Sequence, residues 1–380
     1  MCYLGRSDGA IQRRIKPYGH GFLLLLILPM SPHHSTTVSS GRKPRIAYID
    51  ALRGLTMLLV VYHHIQFYSY HAVSDFNVFF VKFRMSLFFF ISGWVLYKES
   101  RRWDFVTSKL FIIKKFKVQI ISTLIFFILY VYLFNLNFYN AIGASKFGYW
   151  FTYTLFFYFL FYITSVYITH FKNNSLLEDI VVASVALIVL ACYFIAKKDP
   201  NTAHQSIYGI IGIPQWKYYV FFCFGTFVKK YFNQFVSITN NAQVMAVVIV
   251  SFFLLLFSEQ IITNQIPIFY TISFFLYGFL GITILYTVFR KNEEWFATNQ
   301  NISRWMQYIG RHTLDIYLLH YFFIPRNLQM IGEFFKSYPN PTIELFFSSA
   351  LALIVIGICL LVSKVLCTSP ILANMLFGKK

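Results

Sequence analysis

The chain has 380 residues, of which 57% are hydrophobic and 21% aromatic, while Asp, Glu, Lys and Arg together make up only 12%. Soluble domains carry about a quarter charged residues, so this composition excludes a disordered chain, a coiled coil and a small disulfide scaffold. The 33 Lys and Arg against 14 Asp and Glu would indicate nucleic-acid binding in a soluble protein. Here the basic residues cluster between apolar runs, so we expect no nucleic-acid partner and predict an all-α, polytopic transmembrane helical bundle.

Ten predominantly apolar segments are candidates for membrane-crossing helices, which need about 20 residues each. They are residues 47–68, 79–97, 118–139, 149–170, 179–196, 214–229, 242–262, 267–289, 308–325 and 342–365. With the amino terminus inside, twenty-four Lys and Arg residues lie on the inner side of these spans, eight on the outer side, and Arg53 within the membrane. Because Lys and Arg are enriched in cytoplasmic loops, we predict that the amino and carboxyl termini are both cytoplasmic.

The amino-terminal residues 1–44 are predicted to be a poorly ordered or spurious extension, followed by one transmembrane domain over residues 45–378. The apolar stretch 21–30 resembles the core of a signal peptide but is too short to cross a bilayer. Cleavage after it would place the most basic loop, residues 98–117, outside the cell, which contradicts the charge rule.

The cysteines give no sign of a metal centre. They are Cys2, Cys192, Cys223, Cys359 and Cys367, an odd number, and no pair has metal-ligand spacing. We therefore expect neither a bound metal nor a disulfide framework.

The first predicted span carries ionisable side chains, which are unfavourable in lipid and are therefore candidate functional residues. At about 100° per residue, the step from Arg53 to His64 brings both onto one stripe, roughly 17 Å apart along the helix axis. Asp50 lies one turn before Arg53 and can pair with its guanidinium, whereas His63 points about 80° away from the stripe.

The chemistry of these three residues suggests a catalytic role. An imidazole exchanges protons near neutral pH, and a guanidinium suits a donor that carries phosphate. We therefore predict that His64 activates an alcohol, while Arg53, oriented by Asp50, holds the phosphorylated end of a thioester donor. The alternative is an interfacial Asp50–Arg53 pair, with His64 snorkelling at the outer surface.

Polar or small residues in three other spans are further candidates. They are Arg84, Ser92 and Gly93 in the second span, Trp150 in the fourth, and Thr313, Tyr317 and His320 in the ninth. The simpler interpretation of Ser92 and Gly93 is that they permit close helix packing. The simpler interpretation of Trp150 is that it belongs to an aromatic belt at the membrane interface. Thr313, Tyr317 and His320 can share a helix face, and His320 is as consistent with an interhelical hydrogen bond as with chemistry.

Together these residues resemble the acyltransferase-3 family of bacterial integral membrane proteins. That family carries an acidic residue, then Arg-Gly and a histidine in Arg-x10-His spacing, as Asp50, Arg53-Gly54 and His64 do here. The family's second-helix motif is similar to Phe90-Ile-Ser-Gly93, and its late motif is similar to Gly310–His320. Its usual ending is similar to Ser369–Gly378, so the resemblance covers about residues 45–378. One departure is Lys114–Lys117, where many members are rich in arginine and contain proline.

The resemblance implies an integral membrane O-acyltransferase of the bacterial cytoplasmic (inner) membrane. Such a protein moves an acyl group, commonly acetyl from acetyl-CoA, to a hydroxyl of a cell-surface glycan or a lipid-linked saccharide. Acyl-CoA is then a co-substrate and no cofactor stays bound, while membrane lipid surrounds the protein. The resemblance implies that Arg53 and His64 are the essential pair, and that Arg84 and Ser92-Gly93 flank the donor/acceptor cavity. To this cavity we also assign Trp150, Thr313, Tyr317 and His320.

A proton-coupled transporter or flippase without acyl chemistry is the alternative function. Such proteins usually contain two similar halves or paired broken helices, and the polar stripes here lack matching partners in the sequence. A glycan, a lipid-linked sugar and a smaller alcohol all fit as acceptor, and the acyl chain and the oligomeric state stay open.

Overall fold

The structure is a computed structural model that describes residues 45–138, 143, 146–172, 174–198, 207–262, 267–298 and 300–379. The amino-terminal extension predicted over residues 1–44 lies outside the described residues. Within the described ranges every regular element is a helix and no β-strand occurs, which confirms the all-α fold class.

The α-helices are numbered here in chain order. They are α1 Ala47–Ile65, α2 Asp75–Leu96, α3 Phe105–Lys115, α4 Ser122–Leu133, α5 Trp150–His170, α6 Ser175–Lys197, α7 Ile207–Ile211, α8 Tyr219–Lys230, α9 Phe232–Asn240, α10 Ala242–Ile262, α11 Pro267–Lys291, α12 Glu293–Ala297, α13 Asn301–Arg311, α14 Thr313–Phe323, α15 Gln329–Ser337, α16 Pro341–Leu366 and α17 Pro370–Phe377. Short π-helical turns follow α1 (Gln66–Tyr70) and join α3 to α4 (Phe116–Ile121), while 3-10 turns precede α5 (Lys146–Gly148) and α8 (Ile213–Tyr218).

Seven helical segments within the described ranges are long and apolar enough to cross a membrane. They are Asp75–Leu96, Phe105–Leu133, Trp150–His170, Ser175–Lys197, Ala242–Glu259, Phe269–Lys291 and Pro341–Leu366. These segments correspond to the second, third, fourth, fifth, seventh, eighth and tenth predicted spans. The chain is therefore a multi-pass membrane protein, while the orientation of its termini stays a prediction.

The other three predicted spans are not continuous apolar helices of membrane-crossing length. The first is α1, which continues into a π-helical turn but carries charged and imidazole side chains among its apolar residues. The sixth corresponds to α8, whose 12 residues are fewer than the roughly 20 that a full crossing needs. The ninth is divided into α13 and α14 at His312, where the backbone leaves the helical region. A total of ten crossings thus stays a prediction.

α1 packs against α2, α13, α14 and α16, so the predicted catalytic stripe lies inside the protein. Its crossing with α13 is close because a glycine of each helix faces the backbone of the other. A Cβ at Gly54 would lie 2.0 Å from the carbonyl oxygen of Met306, and one at Gly310 would lie 1.7 Å from that of Asp50. Only glycine fits at these two positions, which brings α1 against α13 and places α14 beside the carboxyl-terminal half of α1.

Candidate active site

Two cavities adjoin α1 at different positions along its axis. The arginine cavity has a volume of about 240 Å³ and is lined by residues that include Arg53, Ser92, Lys115, Gln119, Thr313 and Tyr317. The histidine cavity is smaller, about 110 Å³, and is lined by residues that include His63, His64, Arg84, Trp150, Tyr317 and Tyr321. Most of the candidate residues from distant parts of the sequence therefore lie around two neighbouring cavities.

Three aromatic side chains, Phe88, Phe151 and Tyr317, line both cavities, and we call them the aromatic layer. The ring centroids of Phe88 and Phe151 lie 4.6 Å apart, and those of Phe151 and Tyr317 lie 5.5 Å apart. The Tyr317 hydroxyl donates to the Gly148 carbonyl oxygen at 2.8 Å and accepts from the Phe151 amide at 3.0 Å. Tyr317 of α14 thus holds the start of α5 in place, and the three rings stand between the cavities.

His64 and His320 form a hydrogen-bonded pair that joins α1 to α14. His64 Nδ1 lies 2.8 Å from His320 Nε2, and the two rings are nearly parallel, at 9°. His320 is fully buried, and its Nδ1 lies 3.0 Å from the carbonyl oxygen of Ile316. The structure therefore supports the interhelical hydrogen bond that the sequence left open for His320.

This arrangement determines which nitrogens carry hydrogen when both rings are neutral. The Ile316 carbonyl can only accept, so His320 Nδ1 must donate to it, and His320 Nε2 then accepts. His64 Nδ1 must in turn donate to His320, which leaves His64 Nε2 unprotonated. The Tyr321 hydroxyl, at the wall of the histidine cavity, lies 3.3 Å from that Nε2 atom and donates to it. His64 is thus oriented to accept a proton.

His63 also lines the histidine cavity but has different partners. Its Nδ1 lies 3.1 Å from Asn77 Oδ1 of α2, and it makes no contact with His320. Helix geometry alone, which favoured His64 over His63, therefore did not exclude His63 from the cavity. The distinction between them lies in their partners: an amide for His63 and a second imidazole for His64.

Arg53 forms a direct hydrogen bond with α14, while Asp50 attracts it electrostatically without forming a salt bridge. Its Nη2 donates to Thr313 Oγ1 at 2.9 Å, and both residues line the arginine cavity. Asp50 forms no ion pair with Arg53, and its buried Oδ2 has no hydrogen-bond partner within the part of the chain that the structure describes. The hydroxyl of Thr313 faces the guanidinium because α14 packs beside α1.

The remaining predicted residues divide between cavity walls and helix contacts. Ser92 lines the arginine cavity, with its hydroxyl donating to the Phe88 carbonyl oxygen at 2.9 Å. Gly93 lies at a helix contact, where an added Cβ would be 2.0 Å from the carbonyl oxygen of Phe222 in α8. Trp150 lines the histidine cavity, and its ring lies parallel to that of Tyr218, with centroids 6.0 Å apart.

Sequence reasoning missed several residues of the site. Lys115 adds a second positive charge to the arginine cavity, and its Nζ lies 4.4 Å above the Phe159 ring. Gly148 has a φ of +96°, and a Cβ there would lie 1.9 Å from the hydroxyl of Tyr321. The signals in the sequence were the basic run Lys114–Lys117, the position of Tyr321 next to His320, and the glycine two residues before Trp150.

The described residues contain no group of three His, Cys, Asp or Glu side chains that could hold a metal ion. Cys192, Cys223, Cys359 and Cys367 are free thiols. The polar chemistry of the described cavities therefore consists of imidazole, guanidinium, ammonium, amide and hydroxyl groups.

These features define a class: a multi-pass helical membrane protein with a basic cavity and an imidazole cavity enclosed between its helices. The model of the acyltransferase-3 family, described as an acyltransferase domain, matches residues 46–364, and the chain belongs to this family. The protein is therefore a membrane acyltransferase, as the motifs had indicated. No curated protein and no solved structure matches the chain.

Proposed function

We propose that the protein is an O-acyltransferase that moves an acyl group, acetyl in the first instance, from cytoplasmic acyl-CoA to a hydroxyl of a cell-surface glycan or lipid-linked saccharide. The hydrogen bond between His64 and His320 is the observation that carries this proposal. It leaves His64 Nε2 as a proton acceptor in a cavity next to a second, positively charged one. That arrangement is what transfer from a phosphorylated thioester to an alcohol requires.

In the proposed reaction, the acceptor hydroxyl gives its proton to His64 Nε2 while its oxygen attacks the thioester carbonyl carbon. The positive charge on His64 is stabilised by its Nδ1–H···Nε2 hydrogen bond to His320. The tetrahedral intermediate then collapses, the carbon–sulfur bond breaks, and the thiolate takes the proton from His64. The products are an acylated alcohol and free coenzyme A.

The arginine cavity supports donor binding. Arg53 and Lys115 line it together, and neither forms an ion pair among the described residues. The phosphate groups of an acyl-CoA are suitable counter-ions for these two cations. The thioester would then lie towards the aromatic layer, on the side facing the histidine cavity.

Acyl transfer can be measured with the full-length protein in detergent, radiolabelled acetyl-CoA and an extract that contains glycans and lipid-linked sugars. We expect His64→Ala to lower transfer by about 10²- to 10⁴-fold, the usual contribution of a general base. His63→Ala is the matched control, and it should be much milder because His63 does not contact His320.

Expression and size-exclusion profiles of both variants establish whether each is folded. Equal losses in the two variants would contradict the assignment of the base to His64. A wild-type protein that moves protons across a vesicle membrane but transfers no acyl group would instead support the transporter alternative.

A further inference from the structure

Arg84 is a buried cation in the wall of the histidine cavity. It lies in α2, is only 6% exposed and shares this cavity with His64 and Trp150. A guanidinium stays protonated in proteins, so Arg84 brings a permanent positive charge into an interior, lipid-surrounded part of the molecule.

The contacts of Arg84 do not neutralise this charge. Its Nη1 makes two long contacts of 3.4 Å, to the Leu59 carbonyl oxygen and to Asn77 Oδ1. Its buried Nε has no hydrogen-bond partner, and no carboxylate forms an ion pair with it among the described residues. Asn77 Oδ1 is also shared with His63. Protein groups therefore orient the guanidinium but leave it without a counter-ion.

A buried charge without a partner is strongly unfavourable, so a binding partner that supplies the opposite charge is expected. The planar fork of arginine matches the paired oxygens of phosphate and carboxylate groups. The histidine cavity is the space in which such a group can meet Arg84, and its described lining residues include no acidic side chain.

We infer that Arg84 binds an anionic oxygen group of the acceptor, best a phosphate, which lies within a few bonds of the hydroxyl that is acylated. This inference rests on the proposed function, since it assigns the histidine cavity to the acceptor. The phosphates of the donor are assigned to Arg53 and Lys115 on the other side of the aromatic layer. Arg84 and His64 line the same cavity of about 110 Å³, so an anionic group on Arg84 and a hydroxyl at His64 would be close neighbours.

Three small acceptors that differ in their charged group test this inference: glycerol 3-phosphate, glycerate and glycerol. Binding to the full-length protein is measured by calorimetry without acyl-CoA, and acyl transfer is measured with labelled acetyl-CoA. We expect glycerol 3-phosphate to bind and react best, and Arg84→Gln to reduce its preference over glycerol by about 10- to 100-fold. Arg84→Lys, which keeps the charge but loses the fork, should retain part of that preference.

A second pair of acceptors identifies the source of the phosphate. In nanodiscs, phosphatidylglycerol offers a phosphate beside hydroxyls, whereas diacylglycerol offers a hydroxyl alone. Arg84-dependent transfer to phosphatidylglycerol would identify a lipid headgroup, and transfer to glycerol 3-phosphate alone would identify a free phosphorylated alcohol. Arg290→Gln is the matched control, because Arg290 lines neither cavity and contacts Asn240.

Two results would overturn the inference. One is wild-type protein that binds glycerol as tightly as glycerol 3-phosphate, a measurement that depends on no variant. The other is an equal loss with all three acceptors in Arg84→Gln, which would assign Arg84 to the oxyanion of the intermediate or to folding. If glycerol 3-phosphate binds through Arg84 but no acyl transfer occurs, the proposed function fails while the anion site stands.

Discussion

At the scale of single residues, the site depends on which partner each side chain meets. The spacing on α1 was sufficient to predict that Arg53 and His64 act on one side of the helix. It could not show that Thr313 holds Arg53, or that His320 holds His64, because these contacts join residues more than 250 positions apart. The sequence also could not show that Asp50 attracts Arg53 without forming a direct salt bridge with it.

His320 acts through His64 and can be tested as a positioning residue. His320→Ala removes the acceptor for His64 Nδ1–H and frees the ring to turn, so we expect kcat to fall by about 100-fold. KM for acyl-CoA should stay near that of the wild type, since His320 lines neither cavity. His320→Gln supplies an amide oxygen that can accept the same hydrogen bond and should restore part of kcat. No recovery in a folded His320→Gln protein, or an unchanged kcat in His320→Ala, would contradict this role.

Substitutions of Arg53 should weaken binding of the acyl-CoA donor and leave binding of the acceptor unchanged. Arg53→Lys keeps one positive charge but loses the planar fork, so we expect KM for acyl-CoA to rise by about ten-fold. Thr313→Val removes the hydroxyl that Arg53 contacts at 2.9 Å and should give a smaller change of the same kind. Steady-state kinetics at varied acyl-CoA and at varied acceptor separate the two sites. A rise in KM for the acceptor alone would remove Arg53 from the donor site.

At the scale of elements, the position of α1 depends on its contact with α13. The Arg-Gly pair of the first motif has two functions that the sequence alone could not separate. Arg53 faces the arginine cavity, while Gly54 permits the close approach to Met306. The division of the ninth span at His312 was also not predicted, because the prediction counts the polar run Arg311-His312-Thr313 at the break as part of one continuous helix.

Glycine-to-alanine substitutions test this helix contact. Gly54→Ala or Gly310→Ala places a methyl group against backbone atoms, so we expect a loss of about 1–3 kcal/mol and a lower melting temperature in detergent. Gly357→Ala is the matched control in the interior of α16, where an added Cβ meets nothing within 4 Å. It should be neutral or stabilise the protein by up to about 1 kcal/mol, because alanine favours a helix. Equal melting temperatures for all three variants would contradict the close packing of α1 on α13.

At the scale of the whole molecule, composition and apolar periodicity were sufficient for the fold class, the multi-pass character and seven of the predicted spans. The first and ninth spans contain polar residues or a break at the site, and the sixth corresponds to a helix of only 12 residues, so a rule based on hydropathy describes these three poorly. The family resemblance implied a donor/acceptor cavity, but not its division into two, because the cavities form where α1, α2, α5 and α14 meet and no local pattern encodes that meeting.

The predicted orientation can be tested by labelling single cysteines with a membrane-impermeant maleimide. Cys2, Cys192 and Cys367 are first replaced by serine, and Arg102→Cys or Lys336→Cys is then introduced. The charge distribution predicts that the Arg102→Cys protein reacts only after the membrane is opened, whereas the Lys336→Cys protein reacts in intact cells. The reverse pattern would place the arginine cavity towards the outer surface and overturn the assignment of the donor to the cytoplasm.

The aromatic layer of Phe88, Phe151 and Tyr317 has a consequence for the permeability of the membrane to protons and ions. If the two cavities open to opposite sides of the membrane, as the charge distribution predicts, a continuous column of water between them would conduct protons and ions. The three rings, with centroids 4.6 and 5.5 Å apart, place aromatic side chains between the cavities instead. Under the proposed function, a small uncharged acyl group would cross this layer far more easily than a hydrated ion, so acyl transfer would not discharge the membrane potential.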